Sequence, residues 1–287
     1  STTDYQRMVA VYDWITANFA YDLEKLADIE AFGSGAAYLL QTGRGICHDF
    51  ADLGLALFTA LEITATYESG DVFPVEGKTE LHAWNHVKVD ETWYAMDTTW
   101  GAGFIVEDEN RFIQKPRRLY LTTIEGLSRL HRDPAYREEQ ELAYRRTQAV
   151  QADPVYLPGH EQEIMERFNR FRVERNMPPL TEERALLEVA RQAAARIAAD
   201  TAAGEDYTLE QLKREIEQRS SDLRIRKAGI FAKVHWAFEP LSAAQLYERI
   251  VQEQNEFLTD ESCRAATVAV VRQGDITVVV YIYLLRH

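Results

Sequence analysis

Between Gly43 and Gly103 the chain carries a cysteine that opens a helix, a histidine near the start of a strand and an aspartate at the end of the next strand. Those are the side chains required for a thiol nucleophile, its base and the group that orients the base. From Cys47 to Leu61 the run C-H-D-F-A-D-L-G-L-A-L-F-T-A-L sets Phe50, Leu53, Leu57 and Phe58 along one broad apolar face, which predicts a central helix. Cys47 stands at its N-terminus, where unpaired backbone N–H groups and the helix dipole favour thiolate over thiol. A cysteine beside an apolar helix is otherwise a small buried hydrophobe, so its meaning depends on what faces it.

Strand alternation supplies that partner. A strand is expected over Ile63–Tyr67, an irregular loop over Glu68–Glu80 around Gly70, Pro74 and Gly77, a second strand over Leu81–Val89, and a third over Thr92–Thr98 after the turn Asp90-Glu91. A two-residue turn pairs Val89 with Thr92 and sets Trp84 opposite Asp97. His82, Trp84, His86 and Asp97 then share one face, with His82 the diagonal neighbour of Asp97. An odd change in turn length would carry Asp97 to the other face.

These motifs, G-x-C ahead of a helix, H-A-W at His82 to Trp84 and D-T-T-W-G at Asp97 to Gly101, follow one another at steps of 35 and 15 residues. In that order they resemble the transglutaminase-like superfamily of cysteine enzymes, with its papain-like relatives. Trp14 to Asp22 looks like the family's lead-in helix, and Arg118 to His131 is similar to the tail of its kyphoscoliosis-type peptidase branch. The resemblance covers roughly the first half of the chain. It implies an α+β fold with a papain-like transglutaminase core, in which the cysteine helix packs on an antiparallel sheet; both amide hydrolysis and acyl transfer occur on that fold. It also implies roles. Cys47 attacks a carboxamide or peptide carbonyl, His82 takes the thiol proton and later protonates the leaving amine, and Asp97 orients the imidazolium. The Cys47 amide and Gln41, six residues upstream, are the expected oxyanion donors. Trp84, Trp100 and His86 are expected at the substrate cleft. His48 is expected to stand outside the chemistry, and Asp49 and Asp52 are read as carboxylates that complement the helix dipole. No metal or cofactor is called for.

Around this centre, Met8, Val9, Val11, Tyr12, Ile15 and Phe19 recur at helical steps, and Ala36 to Leu40 is read as a short helix. Asp133 to Asp153 reads as a solvated helix ahead of P-V-Y-L-P-G-H, a Pro/Gly linker that sets the domain boundary near Leu157: a catalytic domain over 1–157 and an accessory domain over 158–287. In the second half, Ile164, Met165, Phe168 and Phe171 share a helical face that Pro178-Pro179 ends, and an Ala-rich helix runs from about Glu182 to Ala203. Thr208 with Gln211 and Ser242 with Gln245 have capping-box spacing. Thr267–Val271 and Ile276–Leu284 form a hairpin around Gly274, apolar enough to be buried on both faces. This order, with F-N-R-F-R-V-E-R-N-M-P-P-L at its head, resembles the CAP superfamily of cysteine-rich secretory and pathogenesis-related proteins, and implies a smaller α/β/α-type domain. Histidines are lacking where that family carries them, so the expected role is binding or positioning, and Cys263 is read as a packing residue at a strand entry.

Composition closes off several function classes. A formal charge of −14 and a pI near 5.0 repel phosphate backbones and argue against a nucleic-acid partner. Two cysteines, Cys47 and Cys263, exclude a C-x-x-C motif and a disulfide framework. The longest apolar run, Ile276 to Leu285, is too short to span a bilayer. The expected function is a cysteine-dependent amide hydrolase acting through a thioester on protein or peptide substrates, with protein-glutamine acyl transfer and a non-catalytic scaffold as alternatives. By analogy with both families an extracellular or cell-surface location is expected; the same composition suits the cytoplasm.

Overall fold

Thr3 and Gln6 close a capping box, and helix α1 (Asp4–Asn18) follows, burying Met8, Val11, Tyr12 and Ile15 on the face their spacing predicts. It opens the computed structural model, which describes residues 2–106, 110–204, 211–212, 214, 216, 230–237, 240–253 and 256–285. A short parallel pair, β1 (Ala20–Tyr21) with β2 (Arg44–Gly45), brackets α2 (Leu23–Ala27) and α3 (Gly35–Thr42) and delivers the chain to α4 (Cys47–Ala60). There follow β3 (Ala65–Val72), β4 (Glu80–Val89), β5 (Thr92–Met96), α5 (Thr98–Ala102), the hairpin β6 (Gly103–Val106) and β7 (Arg111–Gln114), then β8 (Leu121–Thr123), α6 (Ile124–Arg132) and α7 (Pro134–Val150). Strands β3, β4, β5 and β8 form one antiparallel sheet in that order. Phe50, Leu53 and Phe58 of α4 share a core with the buried face of α1 and with Val87, Val89, Ala95 and Met96 of the sheet. Each such large side chain contributes about 1.5–3 kcal/mol by leaving water.

The turn at Asp90-Glu91 has two residues and Val89 pairs with Thr92, as expected. Pairing ends at Met96, because Asp97 leaves the strand to cap α5. The expected loop over Glu68–Glu80 is corrected: β3 continues through Val72 and pairs with β4 from Ala65↔Val87 to Val72↔Glu80. Gly70 is therefore a strand residue. A Cβ there would meet the Trp84 indole at 3.3 Å, so the missing side chain makes room for the ring rather than for a turn. Gly101 serves Tyr12 in the same way, since a Cβ there would lie 2.0 Å from the tyrosine hydroxyl, which donates to the Arg117 carbonyl.

Two compact units, Ser1–Glu141 and Leu142–His287, divide within α7. The Pro/Gly stretch near Leu157 lies between β9 (Val155–Tyr156) and α8 (Pro158–Val173), both in the second unit. That unit continues with β10 (Thr181–Glu182), α9 (Arg184–Ala203), β11 (Ile230–Ala237), α10 (Ala243–Glu253), α11 (Glu256–Thr259), β12 (Cys263–Gln273) and β13 (Ile276–Leu285). Its sheet runs β10-β12-β13-β11, with β9 also on β12. Val278, Val280 and Ile282 pack with α9, and Val279 and Tyr281 pack with α8, α10 and α11, so alternate side chains of one strand serve two cores. This is the expected hairpin buried on both faces. The Ser242–Gln245 capping box forms, with Gln245 N–H on Ser242 Oγ and Ser242 N–H on Gln245 Oε1; the Thr208–Gln211 one lies outside the described residues. Cys263 is buried at the start of β12, and burial pushes its thiol up to about 11.

Candidate active site

Cys47 is the first residue of α4, half-buried, and Ile46 ahead of it has extended backbone. The start of this helix is fixed by Asp49, whose carboxylate accepts the Ile46 N–H at 2.8 Å and the Gly35 N–H at 2.7 Å. Lys25 meets the same carboxylate at 2.7 and 2.8 Å and donates to the Gly33 carbonyl at 2.6 Å. Both side chains are buried, the lysine 1 % and the aspartate 0 % exposed, so this is an ion pair removed from water. The reading of Asp49 as a dipole-complementing carboxylate is corrected accordingly: it ties α2, the loop before α3 and the first turn of α4 into one knot behind the thiol. Asp52 is half-exposed and faces His48 at 3.2 Å, and His48 also meets the Tyr67 hydroxyl at 2.9 Å.

Asp97 lies at the end of β5 as the N-cap of α5, entirely buried. Its Oδ1 accepts the backbone N–H groups of Thr99 and Trp100 at 3.0 and 2.9 Å. Its Oδ2 accepts Nε2–H of His82 at 2.8 Å and Nε2–H of His131, from the last turn of α6, at 2.9 Å. Four donors around one carboxylate keep it ionised: burial opposes this, but the charges and hydrogen bonds of His82 and His131 hold Asp97 well below the usual carboxylate range. Because His82 directs Nε2 to Asp97, its Nδ1 is left for other partners, and Cys47 acts on the charge of the same ring. Burial works against the imidazolium, yet Asp97 first and Cys47 second outweigh it, and the His82 pKa is raised to about 10. His82 and Asp97 thus meet across the strands at 2.8 Å, on one face as strand alternation predicts.

Aromatic rings close around His82. Trp100 lies 5.3 Å away by centroid, Trp84 stacks at 6.3 Å, and His131 stands edge-on at 5.5 Å. Trp84 Nε1–H donates to His86 Nε2 at 3.2 Å, and His86 Nδ1 lies 3.6 Å from Glu68. Burial lowers the His86 pKa, so that ring is neutral and serves as an acceptor for Trp84. Gln41 lies on α3 with its side chain exposed. Arg117 is buried and donates to the Trp100 and Gly103 carbonyls, both at 2.6 Å, and to Glu141 at 2.7 Å, which fixes the segment after Asp97.

Three participants have no local sequence signal. Lys25 sits in an ordinary amphipathic stretch. His131 ends the R-L-Y-L-T-T-I-E-G-L-S-R-L-H segment, whose resemblance to the kyphoscoliosis-type tail was its only mark. Tyr21 pairs with Gly45, two residues before the cysteine. Burial, then the negative charge of Cys47, raise the Tyr21 pKa, so its hydroxyl remains a proton donor near the thiol. Among the described residues His82, Asp97 and His131 also form a possible metal-ligand cluster, with one donor atom from each within 4.8 Å of the others. Both imidazoles already direct Nε2–H at Asp97, so an ion there would have to displace two protons.

All three central residues fall within the part of the chain that matches a known family. Residues 1–98 match the transglutaminase-like superfamily. Kyphoscoliosis peptidase of Mus musculus is 24% identical over 131 residues, covering 42% of this chain and 19% of its own length; the Homo sapiens protein is 25% identical over the same length and coverage. The chain therefore spans about a fifth of these curated relatives. A candidate cysteine protease from Cytophaga hutchinsonii is 31% identical with a TM-score of 0.28, over 33% of this chain and 31% of that one. An extracellular SCP-domain protein from Bacillus anthracis is 12% identical with a TM-score of 0.35, over 81% of this chain and 71% of that one. Among the described residues no helix is long and apolar enough to cross a membrane.

Proposed function

We propose that this transglutaminase-like chain is a cysteine-dependent amide hydrolase acting on protein or peptide substrates, with Cys47, His82 and Asp97 as its reacting and orienting groups. The observation that supports the reading is the buried His82–Asp97 hydrogen bond at 2.8 Å, with Cys47 at the N-terminus of α4 acting on the same ring. His82 holds the proton given up by the thiol, so that Cys47 attacks the substrate carbonyl carbon as the thiolate, through Sγ. The carbonyl oxygen becomes an oxyanion facing the Cys47 N–H, and the expected side-chain donor is Gln41. As the C–N bond breaks, the proton passes from His82 to the amine, which leaves; the acyl group stays on Cys47 as a thioester. Water, deprotonated by His82, then attacks the thioester and releases the acid and the thiol.

The test is direct. Peptides bearing internal amides and glutamine side chains are mixed with the full chain, and Cys47 is examined by mass spectrometry during the first turnover. A transient acyl adduct on Cys47, lost in Cys47→Ala, is expected; turnover in Cys47→Ala overturns the mechanism. Addition of a lysine amine separates the two fates, since hydrolysis leaves the free acid and acyl transfer gives an isopeptide. An extracellular or cell-surface location follows by analogy with the two resembled families, and the acidic, disulfide-free sequence permits it. The second unit is assigned to recognition.

A further inference from the structure

The reaction just described uses one histidine, yet two hold Asp97. His131 is 2 % exposed, and its ring is enclosed edge-on by Trp84 at 4.8 Å, Trp100 at 4.9 Å and His82 at 5.5 Å between centroids. It has no open approach to a substrate. The Phe73 N–H donates to its backbone carbonyl at 2.7 Å, which ties this end of α6 to the chain just beyond β3. Its Nε2–H and that of His82 converge on the same oxygen, while the other oxygen is already filled by Thr99 and Trp100 N–H groups.

We propose that His131 is a positioning residue: by sharing Asp97 Oδ2 with His82 it fixes the carboxylate and sets how tightly His82 holds its proton. This rests on the Cys47–His82 reading for its relevance to catalysis, but its effect on His82 belongs to the hydrogen-bond cluster and is measurable without turnover. A carboxylate oxygen that accepts a second N–H has less negative charge to offer the first. Without the His131 donor, His82 becomes the sole side-chain partner of Oδ2, and its imidazolium is favoured further. The sign is the same whether His131 is neutral or charged, because either form draws on the same carboxylate. Among the described residues, the other titratable and charged groups around the cluster include Cys47 from α4, Tyr21 from β1, Glu80 from β4 and Arg137 from α7. Arg137 lies over Trp100 at 4.9 Å and donates to the Leu130 carbonyl at 2.8 Å. None of these bonds involves the His131 ring, so its replacement leaves them in place.

The test is an imidazole NMR titration in the full chain carrying Cys47→Ala, which removes the thiol and leaves the Asp97 cluster. His131 is expected as the Nε2–H tautomer. His131→Phe is expected to move the His82 titration upward by roughly one pH unit, and His131→Gln, whose side-chain N–H can reach the same oxygen, to restore it. An Nδ1–H tautomer at His131, or a His82 titration that is unmoved or lowered in His131→Phe, overturns the proposal. Should His131→Phe fail to fold, the tautomer and the His131→Gln titration decide, because the tautomer alone fixes whether the ring can donate to Asp97. Alkylation of wild-type Cys47 separates this from the reading it rests on. If Cys47 reacts as an ordinary free thiol while the His82 shift is present, the thiol mechanism fails and the positioning role stands; a reactive thiol with no His82 shift gives the reverse.

Discussion

At the scale of single residues the site divides into groups that move protons and groups that hold them in place. Asp97 holds: its four accepted hydrogen bonds leave it ionised and fix the ring of His82. Asp97→Asn keeps the shape but presents an N–H or a weaker acceptor to His82, and peptide turnover is expected to fall by about 10⁴-fold with the fold retained; kcat measured beside a circular dichroism spectrum checks both halves. The oxyanion donor is a second question at this scale. Gln41 follows from the family resemblance, but its side chain is exposed on α3, whereas Tyr21 pairs with Gly45 and keeps its proton beside the thiol. Whichever side chain donates, its removal costs about 10²–10³ in kcat. Comparing Tyr21→Phe with Gln41→Ala assigns the role, and a loss confined to Tyr21→Phe would retire Gln41.

At the scale of elements, the thiol depends on where α4 begins, and that is decided by the Lys25–Asp49 pair. Lys25→Met leaves a buried carboxylate without its counter-charge and is expected to destabilise the first unit by about 3–5 kcal/mol, read from urea unfolding. Replacing both residues by apolar ones of similar volume is expected to recover much of that loss, since neither charge then remains in the interior. Neither partner was legible as such. Asp49 looked like any acid in the first turn of a helix, because sequence shows its position on the helix but not the lysine that folds back from 24 residues upstream. The cysteine helix, the His82 strand and the turn that sets Asp97 on the active face were legible, because period and turn length are local properties. Strand β3 was misjudged beyond Tyr67 for a related reason. Gly70 signals a turn locally, and only the Trp84 ring across the sheet explains it.

At the scale of the whole molecule, each unit has its own core, and they differ in what they titrate. In the first, His82 is raised from 6.5 to about 10. A raised histidine stabilises the fold fully below its unfolded pKa, and that contribution is lost as pH climbs from about 6.5 through about 10. In the second, burial raises the Cys263 thiol from 9.0 to about 11, so its contribution stays constant until about pH 9 and declines above it. Calorimetry of the intact chain is therefore expected to resolve two transitions. Between pH 6.5 and 9 the one assigned to the first unit moves to lower temperature while the other stays fixed. Asp97→Asn identifies the mobile transition, because removing the carboxylate removes what raises His82 and should flatten its drift. A mobile transition that keeps its slope in Asp97→Asn would mean that another group governs the pH dependence of the first unit, and the buried His82–Asp97 bond would lose its standing as the source of that stability.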